Sequence, residues 1–236
     1  TAFDAADEND AIVNSPAYFG LRRAQLDPAG FHALCCGGKA GEITAALKKG
    51  ANVNEPDSSG FTPLMWAAGG NTPDAVSILV KAGASLKAKD KKGETCLSAA
   101  ARFNRDPDVV RTLVSLGEPV EERDTGMNTP LMASVVSNPN PDVAAALIAL
   151  GANVDARNER GKTALIQAAL NGSDPAMIRL LIDSGADCAA QDNNGRHALD
   201  YVKNNSRLKN TSAVCDIADA LRKKEDGSPS EDEARE

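Results

Sequence analysis

Two histidines and five cysteines are the side chains best suited to metal or nucleophilic chemistry, so their spacing is the first test. His32, Cys35 and Cys36 stand close together and offer three soft ligands. A tetrahedral site needs a fourth, and adjacent cysteines rarely aim at one ion. The expectation is therefore that these residues are helix-start and small buried side chains. Cys96, Cys188 and Cys215 follow no paired spacing, so no metal and no cofactor are expected. The chain contains no nucleophile elbow, phosphate loop or HExxH motif, and no catalytic residue is assigned. Asp57, Asp90, Asp124 and Asp192 recur at fixed places and suit turn chemistry better than acid–base catalysis.

The elements that carry these residues are copies of one unit, clearest at Gly60-Phe-Thr-Pro-Leu-Met-Trp-Ala-Ala68. Thr62 can cap a helix, and Pro63 suits the first helical position, where its missing N–H costs nothing. The unit returns at Gly93-Glu-Thr-Cys-Leu97, Thr129-Pro-Leu131, Gly161-Lys-Thr-Ala-Leu165 and Gly195-Arg-His-Ala-Leu199. A weaker copy precedes them at Gly30-Phe-His-Ala-Leu34. Its leucines are spaced by 30, 33, 34, 34 and 34 residues. A fixed period of this size means stacked repeats. The short first step reads as a degenerate repeat whose second helix has lost almost a turn, with Gly37-Gly38 in place of the alanine pair.

Each unit reads as two helices. Asn71, Asn104 and Asn138 fall where the first helix stops, and Asn tolerates the left-handed conformation of a helix end; Gly41 is given this task in the first copy. Thr72-Pro73, Asp106-Pro107, Asn140-Pro141 and Asp174-Pro175 then pair a capping side chain with proline. The second helices carry apolar stripes, such as Val109, Val110, Leu113 and Val114.

The period, the Thr-Pro-Leu start and the paired alanines resemble ankyrin repeats, whose signature is Thr-Pro-Leu-His-x-Ala. A second phrase agrees, at Gly50-Ala-Asn-Val-Asn54, Gly151-Ala-Asn-Val-Asp155 and Gly185-Ala-Asp187. The resemblance implies an all-α ankyrin-repeat solenoid of about six helix-turn-helix repeats with short β-hairpin-like fingers. The organisation expected is an acidic N-terminal segment and capping helix over 1–26 and repeats over 27–56, 57–89, 90–123, 124–157, 158–191 and 192–222. A disordered acidic tail would occupy 223–236. Proline-led helices with an Asn at the inter-helix turn also resemble a variant common among bacterial ankyrin proteins.

The resemblance further implies a cupped hand, with fingers along one edge and first helices lining the palm. That selects Phe61, Trp66, Lys91, Lys92, Arg102, Phe103, Met127, Arg160, Lys162, Gln167, Arg196 and Tyr201 as the partner-binding surface. Aromatic and arginine side chains are the usual anchors of an interface. Trp66 and Phe103 have packing between repeats as an equal alternative, whereas Phe61 on a finger is expected to be hard to bury. The function implied is non-catalytic binding of a partner protein by a monomer, without nucleic acid. The alternative is a small anionic ligand or nucleotide, stacked on Trp66 and met by finger lysines.

The net charge of −7 belongs to the two ends. Residues 1–11 carry four acids and no base, and residues 223–236 carry six acids and three bases, so the repeats are neutral as a whole. Interleaved Lys and Arg on the third and fifth fingers suggest a partner with an acidic surface; the tail segment Glu231-Asp-Glu233 is an intramolecular candidate. No apolar run reaches membrane-spanning length. Unpaired cysteines favour a reducing, cytoplasmic setting, and a start at Thr1 fits equally well with a removed export signal.

Overall fold

The computed structural model describes residues 30–225, and the 33-residue period appears there as six helix pairs, with no strand among the described residues. The expected N-terminal capping helix and most of the acidic tail lie outside those residues. The chain divides into two compact units between Asn153 and Val154. The first unit holds α1 (Phe31–Gly37), α2 (Ala40–Lys48), α3 (Pro63–Gly70), α4 (Pro73–Lys81), α5 (Cys96–Phe103), α6 (Pro107–Ser115), α7 (Pro130–Ser137) and α8 (Pro141–Ala149). The second holds α9 (Ala164–Asn171), α10 (Pro175–Asp183), α11 (Ala198–Val202) and α12 (Ser212–Glu225).

Within the first unit α3 packs against α1 and α5, and α5 against α7, while α4 packs against α2 and α6. In the second, α9 packs on α11 and α10 on α12. The leucine of each first helix is fully buried at Leu64, Leu97, Leu131 and Leu165, and the second helices bury Val76, Leu79, Val110, Leu113, Leu147 and Leu181. Thin layers of this kind exclude water with aliphatic side chains, which suits a chain with only 3% aromatic residues.

Local signals start the helices as expected. The hydroxyls of Thr62, Thr95, Thr129 and Thr163 each accept the N–H three residues on, at 3.3–3.4 Å. Asp106, Asn140 and Asp174 cap their second helices through the N–H two residues on. Thr72 makes no such cap; its own N–H donates to Asn71 Oδ1 at 2.8 Å.

The inter-helix asparagines have a different task from the one expected. Asn71, Asn104 and Asn138 are extended, with φ of −124°, −84° and −87°, so none is a left-handed cap. Instead each side-chain amide crosses to the preceding repeat. Asn104 Nδ2 donates to Ala68 O and Asn71 O, both at 2.8 Å, and Asn138 Nδ2 to Ala101 O and Asn104 O at 2.9 and 2.6 Å. Asn205 does the same in the second unit, reaching Ala169 O and Gly172 O. Buried carbonyls at a helix end need donors, and one planar amide serves two of them.

This ladder also corrects the reading of the first repeat. Asn71 donates to Cys35 O and Gly38 O, 36 and 33 residues back, the same offsets as Asn104. Phe31, not Leu34, therefore takes the leucine's place, and the period is not shortened. The second helix has lost no turn, since α2 and α4 are both nine residues long. Gly41 lies inside α2, and Gly38 ends α1, where a Cβ would meet Leu34 O at 2.6 Å.

Candidate partner-binding surface

Each finger is a tight turn closed by its first residue. Asp57, Asp90, Asp124, Asn158 and Asp192 donate their N–H to the carbonyl four residues on, at 2.9–3.1 Å. Their side-chain Oδ1 atoms accept N–H groups from the turn itself, as Asp57 does from Ser59 and Phe61, both at 2.9 Å. Adjacent fingers are linked by Lys91 N–H to Ser59 O and Thr125 N–H to Lys92 O in the first unit, and by Asn193 N–H to Arg160 O in the second. The turn needs a left-handed residue three positions after its first, and Gly60, Gly93, Gly161 and Gly195 supply it at φ of 71–87°.

The fourth finger is the exception. Its glycine arrives one residue early, at Gly126, so Met127 holds the left-handed position at φ 61°. Met127 is also 47% exposed, the only large hydrophobic side chain so exposed among the described residues. A bulky side chain in this conformation costs roughly 1–2 kcal/mol, and nothing is gained by burial.

The aromatic residues expected on the palm turn inward. Phe61 is 0% and Trp66 1% exposed. Their rings meet edge to face, with centroids 5.3 Å apart. Trp66 Nε1 donates to Asp57 Oδ2 at 3.1 Å. The expectation that Phe61 is hard to bury is thus overturned, because the finger folds over the helix start and Trp66 provides an apolar floor. Tyr201 repeats this arrangement: it is buried, and its hydroxyl donates to Asp192 Oδ2 at 2.5 Å. Both aromatics lie nine residues after the finger carboxylate that they meet. Trp66 has no free ring face, so the alternative of a base stacked on it loses its platform.

The cations are divided in the same way. Arg102 is buried in an ion pair with Glu94 at 2.5 Å, and its guanidinium lies 5.8 Å from the centre of the half-buried Phe103 ring. Lys89 is held by Glu122 at 2.6 Å. Lys91, Arg160 and Arg196 are exposed, while Lys92 and Gln167 are half-buried. Lys162 is largely buried, with its Nζ 5.1 Å from the centre of Tyr201 and the Arg196 guanidinium 5.8 Å from the same ring. Burial lowers the ammonium pKa of Lys162, and Arg160 and Arg196 push it the same way against the pull of Asp192. Asp192 itself is kept below the ordinary carboxylate range: burial opposes this, but the Tyr201 hydroxyl and the N–H groups of Arg196 and Asn194 outweigh it. Of the twelve expected site residues, Phe61, Trp66, Arg102, Lys162 and Tyr201 are therefore mainly interior, whereas Met127, Lys91, Arg160 and Arg196 are open to a partner.

Groups suited to chemistry are dispersed. His32 does not hold a helix-start threonine's place but lies within α1, its Nε2 2.8 Å from Glu55 O. Cys35 and Cys36 are buried, and burial with the neighbouring Cys36 pushes the Cys35 thiol up to about 12. Among the described residues no three His, Cys, Asp or Glu side chains converge as a metal site. One buried acid escaped notice in the sequence. Glu118 replaces the alanine of the Gly-Ala phrase, and accepts from Cys96 Sγ at 3.0 Å and from Leu97 N–H at 3.4 Å. Burial raises its carboxyl pKa despite those hydrogen bonds. The broken Gly-Ala phrase was the signal that could have marked it.

No helix among the described residues is long and apolar enough to cross a membrane. The family described as Ankyrin repeats (3 copies) matches the chain in four overlapping windows, 31–124, 70–158, 97–192 and 131–210. Among curated proteins, DNA-binding protein RFXANK of Homo sapiens is 38% identical over 79 residues, covering 33% of this chain and 30% of that protein. Palmitoyltransferase AKR1 of Saccharomyces cerevisiae is 31% identical over 81 residues, covering 33% of this chain and 11% of that protein. The chain thus spans a third or less of the length of these curated relatives. Among solved structures, one chain of the Bd0816 predatory endopeptidase of Bdellovibrio bacteriovorus in complex with immunity protein Bd3460 is similar. That match has a TM-score of 0.66 and 28% identity, and covers 81% of this chain and 97% of that one.

Proposed function

The chain belongs to the ankyrin-repeat family, and from that premise we propose that it is a non-catalytic module that binds a partner protein through its finger tips and the open part of its first-helix surface. Met127 carries the reading. An exposed methionine in a strained conformation, at a position where the other fingers use glycine, costs stability with no burial to offset it. Strain of that kind is retained where function uses it, and methionine is an adaptable interface side chain. The exposed cation Lys91, on the preceding finger of the same unit, would add to such a contact. The solved neighbour belongs to an endopeptidase–immunity protein complex, which makes an enzyme the partner class to try first.

The test uses Met127→Gly, because this substitution removes the side chain and relieves the backbone. Wild type and variant would be immobilised at equal loading and used to capture proteins from the source cell's lysate, with helicity checked by circular dichroism. The expected result is a protein retained by wild type and lost by the variant, whose melting temperature is unchanged or higher. Equal capture by both would remove Met127 from the interface. Phe61 and Trp66 are unsuited to this test, since truncating either empties the core.

A further inference from the structure

The cleft between the last two fingers holds charges that the fold does not need. It is open, about 580 Å³, and lined by Arg160, Lys162, Arg196 and Tyr201 together with Glu159 and Asn194. Two cations, from Lys162 and Arg196, approach one aromatic ring. The carboxylate behind that ring, Asp192, is engaged by the Tyr201 hydroxyl and by two turn N–H groups. Glu159 is 4.0 Å from Arg160 Nε. Among the described residues, Lys162 Nζ has no hydrogen bond and no carboxylate within ion-pair distance, although Lys162 is only 9% exposed. The ammonium opens into the cleft beside two guanidinium groups, and the mutual repulsion of these like charges is unfavourable. An incoming anion would relieve it.

The backbone decides which anion fits. Phosphate sites draw on free N–H groups at a turn or a helix start. Here the N–H groups of Arg160 and Lys162 are bound to Asn158 Oδ1, those of Asn194 and Arg196 to Asp192 Oδ1, and that of Asn193 to Arg160 O. What remains is the Lys162 ammonium and the Arg196 guanidinium over the Tyr201 ring, with the Arg160 guanidinium lining the same cleft. That set matches a carboxylate carried on a short stem, whose two oxygens can meet the cations at the open side of the cleft. We propose that this cleft receives a glutamate or aspartate from an acidic segment of the partner protein. The proposal rests on the reading of the chain as a protein-binding module.

The experiment measures fluorescence anisotropy of a labelled oligoglutamate peptide with the full chain at low ionic strength. Saturable binding is expected, weakened about tenfold or more by Lys162→Gln/Arg196→Gln and comparably by the exposed pair Arg160→Gln/Arg196→Gln. The second pair guards against a folding defect at the buried lysine. Lys87→Gln/Lys91→Gln, which removes the same charge from the first unit, should change binding by less than about twofold, since neither lysine lines the cleft. Absent binding, or equal weakening by all three pairs, would overturn the proposal. So would displacement of the bound peptide by inorganic phosphate at a lower concentration than by free glutamate. Should the peptide fail while Met127→Gly still abolishes partner capture, only the acidic cleft is lost and the protein-binding reading stands.

Discussion

The second and last fingers are built on the same plan and end as opposite surfaces. In both, a carboxylate at the start of the finger accepts a hydrogen bond from an aromatic side chain nine residues later, Trp66 to Asp57 and Tyr201 to Asp192. What differs is the residue four positions after the carboxylate. Phe61 closes the first site by packing edge-on against the indole. Arg196 leaves the second site open, beside Lys162. The aromatic is a structural prop in both places, and the finger residue above it decides whether the surface is sealed or charged. The third finger shows an intermediate solution, in which Glu94 at the same position neutralises Arg102.

The largest test of this comparison is truncation of the two props. Trp66→Ala should lose about 3–5 kcal/mol in urea denaturation, as expected for a fully buried ring. Tyr201→Ala should lose about 1–2 kcal/mol less, because less apolar area leaves the core. Equal losses would mean that the open site is as much core as the closed one. Next in size is the amide ladder: Asn104→Ala removes donors from Ala68 O and Asn71 O and should cost roughly 2–3 kcal/mol. A cost near zero would show that water replaces the amide.

Glu118 in the first unit and Lys162 in the second are both shifted by burial towards the neutral form, with opposite consequences for pH. Glu118 has a folded pKa raised above the ordinary carboxyl value of 4.5, chiefly by burial. Wild type therefore loses stability as pH rises from 4.5 through the raised value. Glu118→Gln should escape that loss and melt higher at neutral pH, by roughly 2–4 °C for each kcal/mol recovered. Lys162 has a folded pKa below 10.5, so its burden is greatest below the lowered value and is relieved as pH climbs towards 10.5. Lys162→Met should accordingly stabilise at neutral pH, by less than about 1 kcal/mol, with the gain vanishing in alkali. Thermal melts across pH would read both effects.

The fold was legible because it is written locally and repeatedly. Threonine caps, proline at helix starts and glycine in fingers act within a few residues of themselves, and six imperfect copies average out the errors of any one. The same local signals misplace the first repeat, where Leu34 stands in a copy of the repeated phrase but Phe31 holds the register. The ladder that sets that register runs between repeats, and no local pattern displays it.

The surface was less legible for a related reason. By itself the sequence determined the period, the helix pairs and the chemistry available at each finger. Only the tertiary structure decided which of those side chains face water. A finger folds back over its own helix, so a residue adjacent to a glycine turn, Phe61, finds a partner five residues on in the Trp66 indole and disappears from the surface. Met127, with glycine displaced by one residue, finds none and stays outside. Burial depends on what lies across the fold, which is why two residues on equivalent turns can end on opposite sides of the surface.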